Sequence, residues 1–317
     1  MIVGIDIGGT KTQLIAERDG STVGDALVST AEWRGRADHD ADVGALVSLL
    51  VATAGAMPAV TVVGAHGCDS DEDRLALQTK LAARLRGTVL VLNDSELLLP
   101  AAGKESGISV ISGTGSIAVS RDSLRRMIAS GGWGWYLGDE GSASGLVREA
   151  ARSVRLTLDQ GGALDSLGLT LMEALAVSSP IELGRTLGEI GTAAGIGRLA
   201  PLVFAAADAG SKQAQKVIAD AGVALSVLAE QLVHRGAPRG DVVTGGGVIA
   251  RQPRLLAAFQ SALANRLPDV TLTLLHEQPV LGAMVLARKL SAGALPATLP
   301  LPHIDGELKT ARDWRAA

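Results

Sequence analysis

Cysteine and aromatic side chains are scarce in this sequence of 317 residues. The single cysteine, Cys68, cannot form a disulfide within the chain, and no CxxC or HExxH pattern accompanies the five histidines. These absences exclude a disulfide scaffold and the common zinc motifs, and they favour a reducing compartment. We therefore expect a cytoplasmic protein.

Long runs of one charge are also missing. The 29 basic and 33 acidic residues leave a net charge of −4, so neither nucleic acid nor an anionic membrane is an expected partner. The uncharged stretch 43–65 is interrupted by Gly55-Ala56-Met57-Pro58, which divides it into a predicted helix and a predicted buried strand rather than a membrane span. The N-terminus carries Asp6 and no basic segment before an apolar run, so no signal peptide is predicted.

Short β-rich runs and helical patterns alternate along the chain. Three strands open it, with a hairpin turn at Asp19-Gly20, and a helix, a strand, a helix and a strand follow up to residue 92. A second unit begins with two strands around SGTGS, becomes mostly helical from Ser142 to Arg235, and ends as strand, helix, strand and helix. This order predicts an α/β protein that uses one architecture twice.

The length is sufficient for two domains, each with its own core. The small and polar segment AAGKESG, residues 101–107, is the expected boundary. We predict domains at residues 1–104 and 105–290, followed by a proline-containing tail at 291–317 that is either a surface strap or partly disordered.

Three glycine clusters follow predicted strands. They are DIGGTKT at residues 6–12, SGTGS at 112–116 and TGGGV at 244–248. Each presents backbone N–H groups where no Cβ blocks an approaching anion, which is how peptide loops bind phosphate. The chain has neither a G-x-x-x-x-G-K-[ST] loop nor a G-x-G-x-x-G followed by an acid about twenty residues on, so Walker-type and Rossmann-type nucleotide sites are excluded.

Two aspartates follow predicted buried strands. Asp6 stands beside the first glycine cluster, where a carboxylate can hold Mg²⁺ directly or through water. Asp94 follows VLVLN, and the pair Asn93-Asp94 at the exposed end of a strand suits a base that faces a cleft. The alternative for Asp6 is that its side chain only bonds the backbone of its own hairpin turn. The alternative for Asp94 is that it is the N-cap of the helix that follows.

The stretch GGWGWYLGDEGSASG, residues 131–145, gathers Trp133, Trp135 and Tyr136 in a chain that has only four Trp, one Tyr and two Phe. Such a concentration of aromatic side chains indicates a need for flat surfaces, and the same stretch holds the adjacent acids Asp139 and Glu140. The alternative is a glycine-rich turn with core aromatic residues, and Trp135 and Tyr136 in particular could simply be core.

Five motifs occur in one order: DIGGTKT, NDSE with Asp94, SGTGS, GGWGWYLGDEGS and TGGGV. In this order they resemble the actin-like ATPase and sugar kinase superfamily and, within it, the BadF/BadG/BcrA/BcrD group that contains N-acetylglucosamine kinase, over about residues 1–290. The resemblance implies a duplicated actin-like (ribonuclease H-like) α/β fold, with two domains around a nucleotide and sugar cleft. It also implies an ATP- and Mg²⁺-dependent kinase of the 6-hydroxyl of an amino-hexose.

The resemblance assigns roles to single residues as well. Asp94 would be the catalytic base, and Asp6 would lie near Mg²⁺. The phosphate loops and the adenosine contacts would comprise Gly8, Gly9, Thr10, Lys11, Thr12, Gly113, Thr114, Gly115, Ser116, Gly245 and Gly246. The sugar contacts would comprise Trp33, Asn93, Asp94, Gly132, Trp133, Gly134 and Asp139.

One position departs from the family pattern. Members of the N-acetylglucosamine type usually carry STN-x-W, whereas this chain has Ala31 in STAEW. Because the loss of a buried hydrogen bond can change the preferred sugar, N-acetylglucosamine is the first expectation and glucosamine the alternative. The sequence does not decide whether the protein forms a homodimer.

A further alternative is that the chain has another function known in the same group, that of an ATP-driven activator or a regulatory ATPase. Such an activator holds a [4Fe–4S] cluster between two subunits, and that cluster needs four thiolates. With Cys68 as its single cysteine, this chain would supply only two of them as a dimer. The kinase is therefore the favoured interpretation.

Overall fold

The computed structural model describes residues 1–35 and 39–304. Its first sheet has the strand order β3-β2-β1-β4-β5. β1 pairs antiparallel with β2 and parallel with β4, and β4 pairs parallel with β5. The strands are β1 Ile2–Ile7, β2 Lys11–Arg18, β3 Ser21–Ser29, β4 Val60–Ala65 and β5 Thr88–Leu92. This sheet and the elements packed on it are called the first lobe below.

The second sheet repeats the same topology later in the chain. Its order is β10-β9-β6-β7-β8, with β6 antiparallel to β7 and parallel to β9. The strands are β6 Ile108–Ser112, β7 Ser116–Arg121, β8 Met127–Gly131, β9 Asp241–Gly245 and β10 Thr271–Leu274. The predicted duplicated α/β fold is confirmed, although β8 was not expected from the sequence. This sheet and its helices form the second lobe.

The described helices flank these sheets and connect their strands. Between β3 and β4 the first lobe carries two helices, and between β8 and β9 the second lobe is mostly helical, as the sequence indicates. The helices are α1 Thr30–Trp33, α2 His39–Ala54, α3 Asp71–Ala82, α4 Leu98–Ala101, α5 Gly134–Leu137, α6 Ala143–Asp159, α7 Ser166–Ala174, α8 Leu183–Ile190, α9 Ala193–Gly197, α10 Ala200–Asp208, α11 Lys212–His234, α12 Pro253–Arg266 and α13 Val280–Ser291, with short 3₁₀ turns at Asp94–Leu97 and Pro180–Glu182.

The burial of the strands follows from their place in the sheet. β4, with the sequence VTVVGA, is buried at every residue because it lies between two parallel neighbours and is covered on both faces. The edge strand β3 alternates between exposed and half-buried residues instead. This contrast explains why β4 appears in the sequence as a continuous apolar run.

Helix α11 is the longest helix in the described part of the chain. It is long and apolar enough to cross a membrane by length and composition, but half of its most apolar window is buried inside the protein. Its residues Leu225, Leu228 and Leu232 pack in the core of the second lobe. Such burial is typical of a core helix.

The last helix, α13, packs on the first sheet although it follows the second sheet in the sequence. Ala283, Leu286, Ala287 and Leu290 share a buried cluster with residues of β4 and β5. The domain ranges 1–104 and 105–290 remain a prediction drawn from chain order. The packing associates α13 with the first lobe instead, because its apolar face covers that sheet.

The described part of the tail returns to the edge of the first sheet. His303 forms an antiparallel bridge with Val89 of β5, with N–O distances of 2.9 and 2.8 Å. Gln78 donates to the carbonyl oxygen of Leu301 at 3.2 Å. Up to residue 304 the tail therefore lies on the surface as a strap, and the rest of the predicted tail, 305–317, is outside the described residues.

Close packing of α13 against α4 depends on Gly282. A Cβ at this position would lie 2.1 Å from the carbonyl oxygen of Leu97, where backbone atoms cannot yield easily. We predict that Gly282→Ala lowers the free energy of unfolding by roughly 1–3 kcal/mol, in urea titrations, through overpacking. Gly184→Ala is the control, because a Cβ there meets nothing within 4 Å and a helical alanine should stabilise by up to about 1 kcal/mol. Equal urea midpoints for the two variants would contradict the close packing of α13 at Gly282.

Candidate functional site

Three neighbouring strands of the first sheet end at the same edge. In the parallel pairing, Ile7 of β1 lies beside Ala65 of β4, and Gly64 lies beside Leu92 of β5. The first glycine cluster follows β1, His66 follows β4, and Asn93-Asp94 follows β5. The carboxyl ends of parallel strands therefore bring the three segments together, as expected for a ligand-binding edge in an α/β sheet.

His66 joins the first glycine cluster to Asp94. Its backbone N–H donates to the carbonyl oxygen of Ile7 at 2.7 Å, and its ring lies 3.5 Å from where a Cβ on Gly9 would be. Its Nδ1 is 3.8 Å from Oδ2 of Asp94. His66 is absent from the site residues predicted from the sequence, although the rule applied to Asp94, a polar residue directly after a buried strand, would have found it.

The two aspartates at this edge share an unfavourable environment for negative charge. Burial, and then repulsion from Asp94, raise the pKa of Asp6 to about 7. Burial also raises the pKa of Asp94 to about 6, although His66 opposes that rise. A cation between such carboxylates would relieve both the desolvation and the repulsion. Asp6 is therefore suited to a hard divalent ion, and no cluster of three or more ligating residues exists among the described residues.

The turn that carries Asp94 is held by its neighbours. Asn93 is the N-cap of the 3₁₀ turn, and its Oδ1 accepts from the backbone N–H of Ser95 at 3.0 Å. The alternative role of Asp94 as the N-cap is therefore wrong. Its Nδ2 donates to the carbonyl oxygen of Cys68 at 3.1 Å and to Asp69 Oδ1 at 3.0 Å. The amide of Asn93, a predicted sugar contact, is thus engaged inside the protein, while Asp94 retains 19% of its side-chain exposure.

Thr12 and Trp33 lie behind the first glycine cluster rather than in front of it. Both are buried, and the Trp33 Nε1–H donates to Thr12 Oγ1 at 3.0 Å. Thr12 Oγ1 lies 3.0 Å from Thr30 Oγ1, and the Thr30 hydroxyl donates to the carbonyl oxygen of Gly8 at 2.9 Å. These bonds differ from two predictions: the Thr12 hydroxyl faces the protein rather than a phosphate, and Trp33, a predicted sugar contact, is buried behind the loop. Thr10 and Lys11 are exposed.

The second and third glycine clusters touch each other at the corresponding edge of the second sheet. Gly246 has φ of +110°, and a Cβ on it would lie 2.4 Å from the carbonyl oxygen of Ser112. That same oxygen accepts from the backbone N–H of Val248 at 3.1 Å. The predicted nucleotide residues Gly113 and Gly246 are therefore adjacent, and only glycine fits at Gly246.

Asp139 lies against the second glycine cluster. It is buried, with φ of +59°, and its Oδ1 accepts from the backbone N–H of Ser116 at 3.2 Å. A Cβ on Gly115 would come within 3.0 Å of Asp139 Oδ2. Burial raises the pKa of Asp139, and the bond from Ser116 partly opposes this. The predicted sugar-binding carboxyl is thus joined directly to the predicted phosphate loop.

The aromatic stretch divides into an exposed part and a packed part. Trp133 is 74% exposed and Tyr136 is 75% exposed, so neither is a core residue in this structure. Trp135 is half-buried against the cluster of Leu187 and Ile196, and its ring lies 4.1 Å from that of Tyr136. Gly132 and Gly134 on either side of Trp133 have φ of +73° and +76°. The glycines thus make a turn that presents Trp133 to solvent.

The chain belongs to a family of nucleotide-hydrolysing proteins. A family model for the BadF/BadG/BcrA/BcrD ATPase family matches residues 3–287, and the chain is a member of that family. This agrees with the resemblance carried by the five motifs.

Curated relatives and a solved structure are similar to this chain. It is 29% identical to an N-acetylmuramic acid/N-acetylglucosamine kinase of Clostridium acetobutylicum, over 71% of this chain and 76% of the relative. It is 27% identical to an N-acetyl-D-glucosamine kinase of Dictyostelium discoideum, over 71% of this chain and 74% of the relative. In fold it is similar to a ROK family glucokinase of Streptomyces griseus, solved with glucose and AMPPNP, at a TM-score of 0.55 and 19% identity over 91% of this chain and 99% of the other.

The raised pKa of Asp6 predicts a pH-dependent stability. Ionising Asp6 costs more in the folded than in the unfolded chain, so its contribution is intact below pH 3.8 and is lost as the pH rises through about 7. In chelator, Asp6→Asn should therefore raise the free energy of unfolding by at least about 1 kcal/mol more at pH 8 than at pH 5, in urea titrations. Asp25→Asn, at an exposed position, is measured alongside as the control for the substitution itself. An increase in the free energy of unfolding for Asp6→Asn that is equal at pH 5 and pH 8 would contradict the raised pKa of Asp6.

Proposed function

We propose that this protein is an ATP-dependent kinase of an amino sugar, with N-acetylglucosamine as the sugar and its 6-hydroxyl as the acceptor. The observation that carries the proposal is the position of Asp94, which follows a buried strand and has a partly exposed carboxyl group whose Oδ1 accepts from the backbone N–H of Ser95 at 3.0 Å. Its Oδ2 lies 3.8 Å from a histidine whose ring lies beside Gly9 of the first glycine cluster. A base beside a phosphate loop is the arrangement that phosphoryl transfer to a hydroxyl requires. Membership of an ATPase family and the names of the two curated relatives support the same reaction.

The glycine clusters fit a nucleotide. Gly246 and Gly247 are exposed, so their backbone is accessible to a ligand. The contact of Gly246 with Ser112 leaves no room for a side chain at that position. Thr10 and Thr114 are exposed in the first and second clusters and can donate hydroxyls to phosphate oxygens. Bound ATP would supply the phosphoryl group, and Mg²⁺ near Asp6 would neutralise its charge.

Asp94 acts as the base in this proposal. With a pKa near 6, its carboxylate is ionised at neutral pH and still basic enough to accept the proton of a sugar hydroxyl. The bonds of Asn93 fix the turn that carries Asp94, so the base is held in place before the sugar binds. His66 lies between the base and the phosphate loop, where an imidazole N–H can donate to an oxygen of the transferred group.

In this proposal the sugar ring contacts the turn of Trp133, and its 6-hydroxyl reaches Asp94. Trp133 offers an open indole face to the ring, and Gly132 and Gly134 permit close approach. Asp139 joins the second glycine cluster and can bond a hydroxyl on the same side. Asn93 and Trp33 contribute through the loops that they hold rather than by direct contact.

Glucosamine remains the second candidate, because the aspartates and glutamates of two acidic segments, residues 32–42 and 68–74, would attract its ammonium group. Several of these acids already have partners: Asp71 accepts from Arg121 and Met127, and Asp40 pairs with Lys80. Asp38 lies outside the described residues. The partners reduce the field that would favour a cation, which supports N-acetylglucosamine.

The role of Asp94 predicts a large and selective loss of rate. Asp94→Asn should lower kcat by roughly 10²-fold or more, with the Kd for ATP nearly unchanged, because proton transfer is lost while the phosphate loops remain. Coupled-enzyme assays and nucleotide titrations measure the two quantities. Asp220→Asn, at an exposed helical site, is the matched control. A variant that keeps more than about half of the wild-type kcat would exclude this role.

The sugar preference is tested with a panel of hexoses and amino-hexoses under ATP turnover. We expect a higher kcat/KM for N-acetylglucosamine than for glucosamine at both low and high salt, and a larger KM increase for sugar than for ATP in Trp133→Ala. Tyr136→Ala, equally exposed, should leave the sugar KM within about twofold. An advantage of about tenfold for glucosamine that declines with salt would reverse the ranking.

A further inference from the structure

A buried arginine of the second lobe binds two carboxylates of the first lobe. Arg121, the last residue of β7, is 5% exposed. Its Nε and Nη2 donate to the two carboxylate oxygens of Glu96 at 2.6 and 3.0 Å, and its Nη1 donates to Asp71 Oδ1 at 3.1 Å. The backbone N–H of Met127 donates to the other oxygen of Asp71 at 3.0 Å. Two acids of the first lobe are thus bound by one hairpin of the second.

Glu96 connects this arginine to the turn of Asp94. The Oε2 atom that accepts from Arg121 also accepts from the backbone N–H of Asn93 at 3.0 Å. This bond closes the capping box of the 3₁₀ turn Asp94–Leu97. The orientation of the turn is therefore determined by a carboxylate whose own orientation is determined by the opposite lobe.

The planar guanidinium makes this link directional. Two parallel N–H bonds to one carboxylate fix both its distance and its plane, which a lysine ammonium cannot do. Glu96 is 6% exposed, so little water is available to replace the arginine. A small rotation of Arg121 would move Glu96, and the backbone that precedes Asp94 would follow.

We propose that Arg121 is a positioning residue that acts through Glu96 to hold Asp94 in its reactive orientation, so that the base is aligned only while the two lobes keep this contact. The inference rests on the proposed kinase function. It deepens that function, because the second lobe then controls the base as well as binding ligands. A purely structural ion pair, which would affect folding alone, is the competing explanation.

The first test separates rate from binding. Arg121→Lys keeps the charge but loses the paired bonds, and we expect kcat to fall by about tenfold or more while the KM values for ATP and sugar change less than about twofold. Arg126→Lys is the matched control: Arg126 lies in the same hairpin, pairs with Asp122 of its own lobe and is exposed. A kcat for Arg121→Lys within twofold of wild type would overturn the proposal, whatever the change in melting temperature.

The second test uses a double-mutant cycle. Glu96→Gln keeps an acceptor for the backbone of Asn93 but weakens the bond to Arg121. Alone, should Arg121→Lys fail to fold, it is expected to lower kcat by about tenfold or more with KM values within about twofold, and a kcat within twofold of wild type would overturn the proposal. If both residues act through one link, the double variant is no slower than the slower single variant, whereas independent structural effects would multiply. Multiplied losses would overturn the proposal.

Wild type and Asp94→Asn in the same assay distinguish the two possible failures. An active wild type and an inactive Asp94→Asn, together with a fully active Arg121→Lys, would reject the positioning role alone. A wild type that phosphorylates no sugar of the panel would reject the proposed function and, with it, this inference.

Discussion

The parallel pairing of β1, β4 and β5 is the constraint on which the site depends. Because Ile7 aligns with Ala65 and Gly64 with Leu92, the first glycine cluster, His66 and Asp94 leave the sheet at one edge. None of these segments could be brought together by its local sequence, since long stretches of chain separate them. The buried β4 lies between the two others and pairs with both, so its position determines how their ends align.

Burial at this edge alters the chemistry of the carboxyls. The pKa of Asp6 is raised to about 7 and that of Asp94 to about 6, both chiefly by desolvation. The surrounding structure tolerates this cost because Asn93 and Thr12 use their polar atoms to hold the loops. Polar side chains behind the site thus maintain the geometry, while those at its surface stay open to ligands.

The second lobe reproduces the same edge with a different set of residues. Its glycine clusters meet through the contact of Gly246 with Ser112, and Asp139 accepts a bond from Ser116. Arg121 then connects this lobe to the turn of Asp94 through Glu96. Duplicated topology therefore gives two similar edges that carry glycine clusters, and the buried pair of Arg121 and Glu96 joins the two lobes.

The sequence by itself determined the repeated α/β order, the three glycine clusters and the strand-end aspartates, because strand periodicity and glycine are local signals. Tertiary structure alone decided the rest. Trp33 and Thr12 look like site residues in the sequence, but the packing behind the first cluster buries them. The contact of Arg121 with Glu96 and the return of α13 to the first sheet join residues far apart in the chain, and only the folded arrangement of the lobes specifies such pairs.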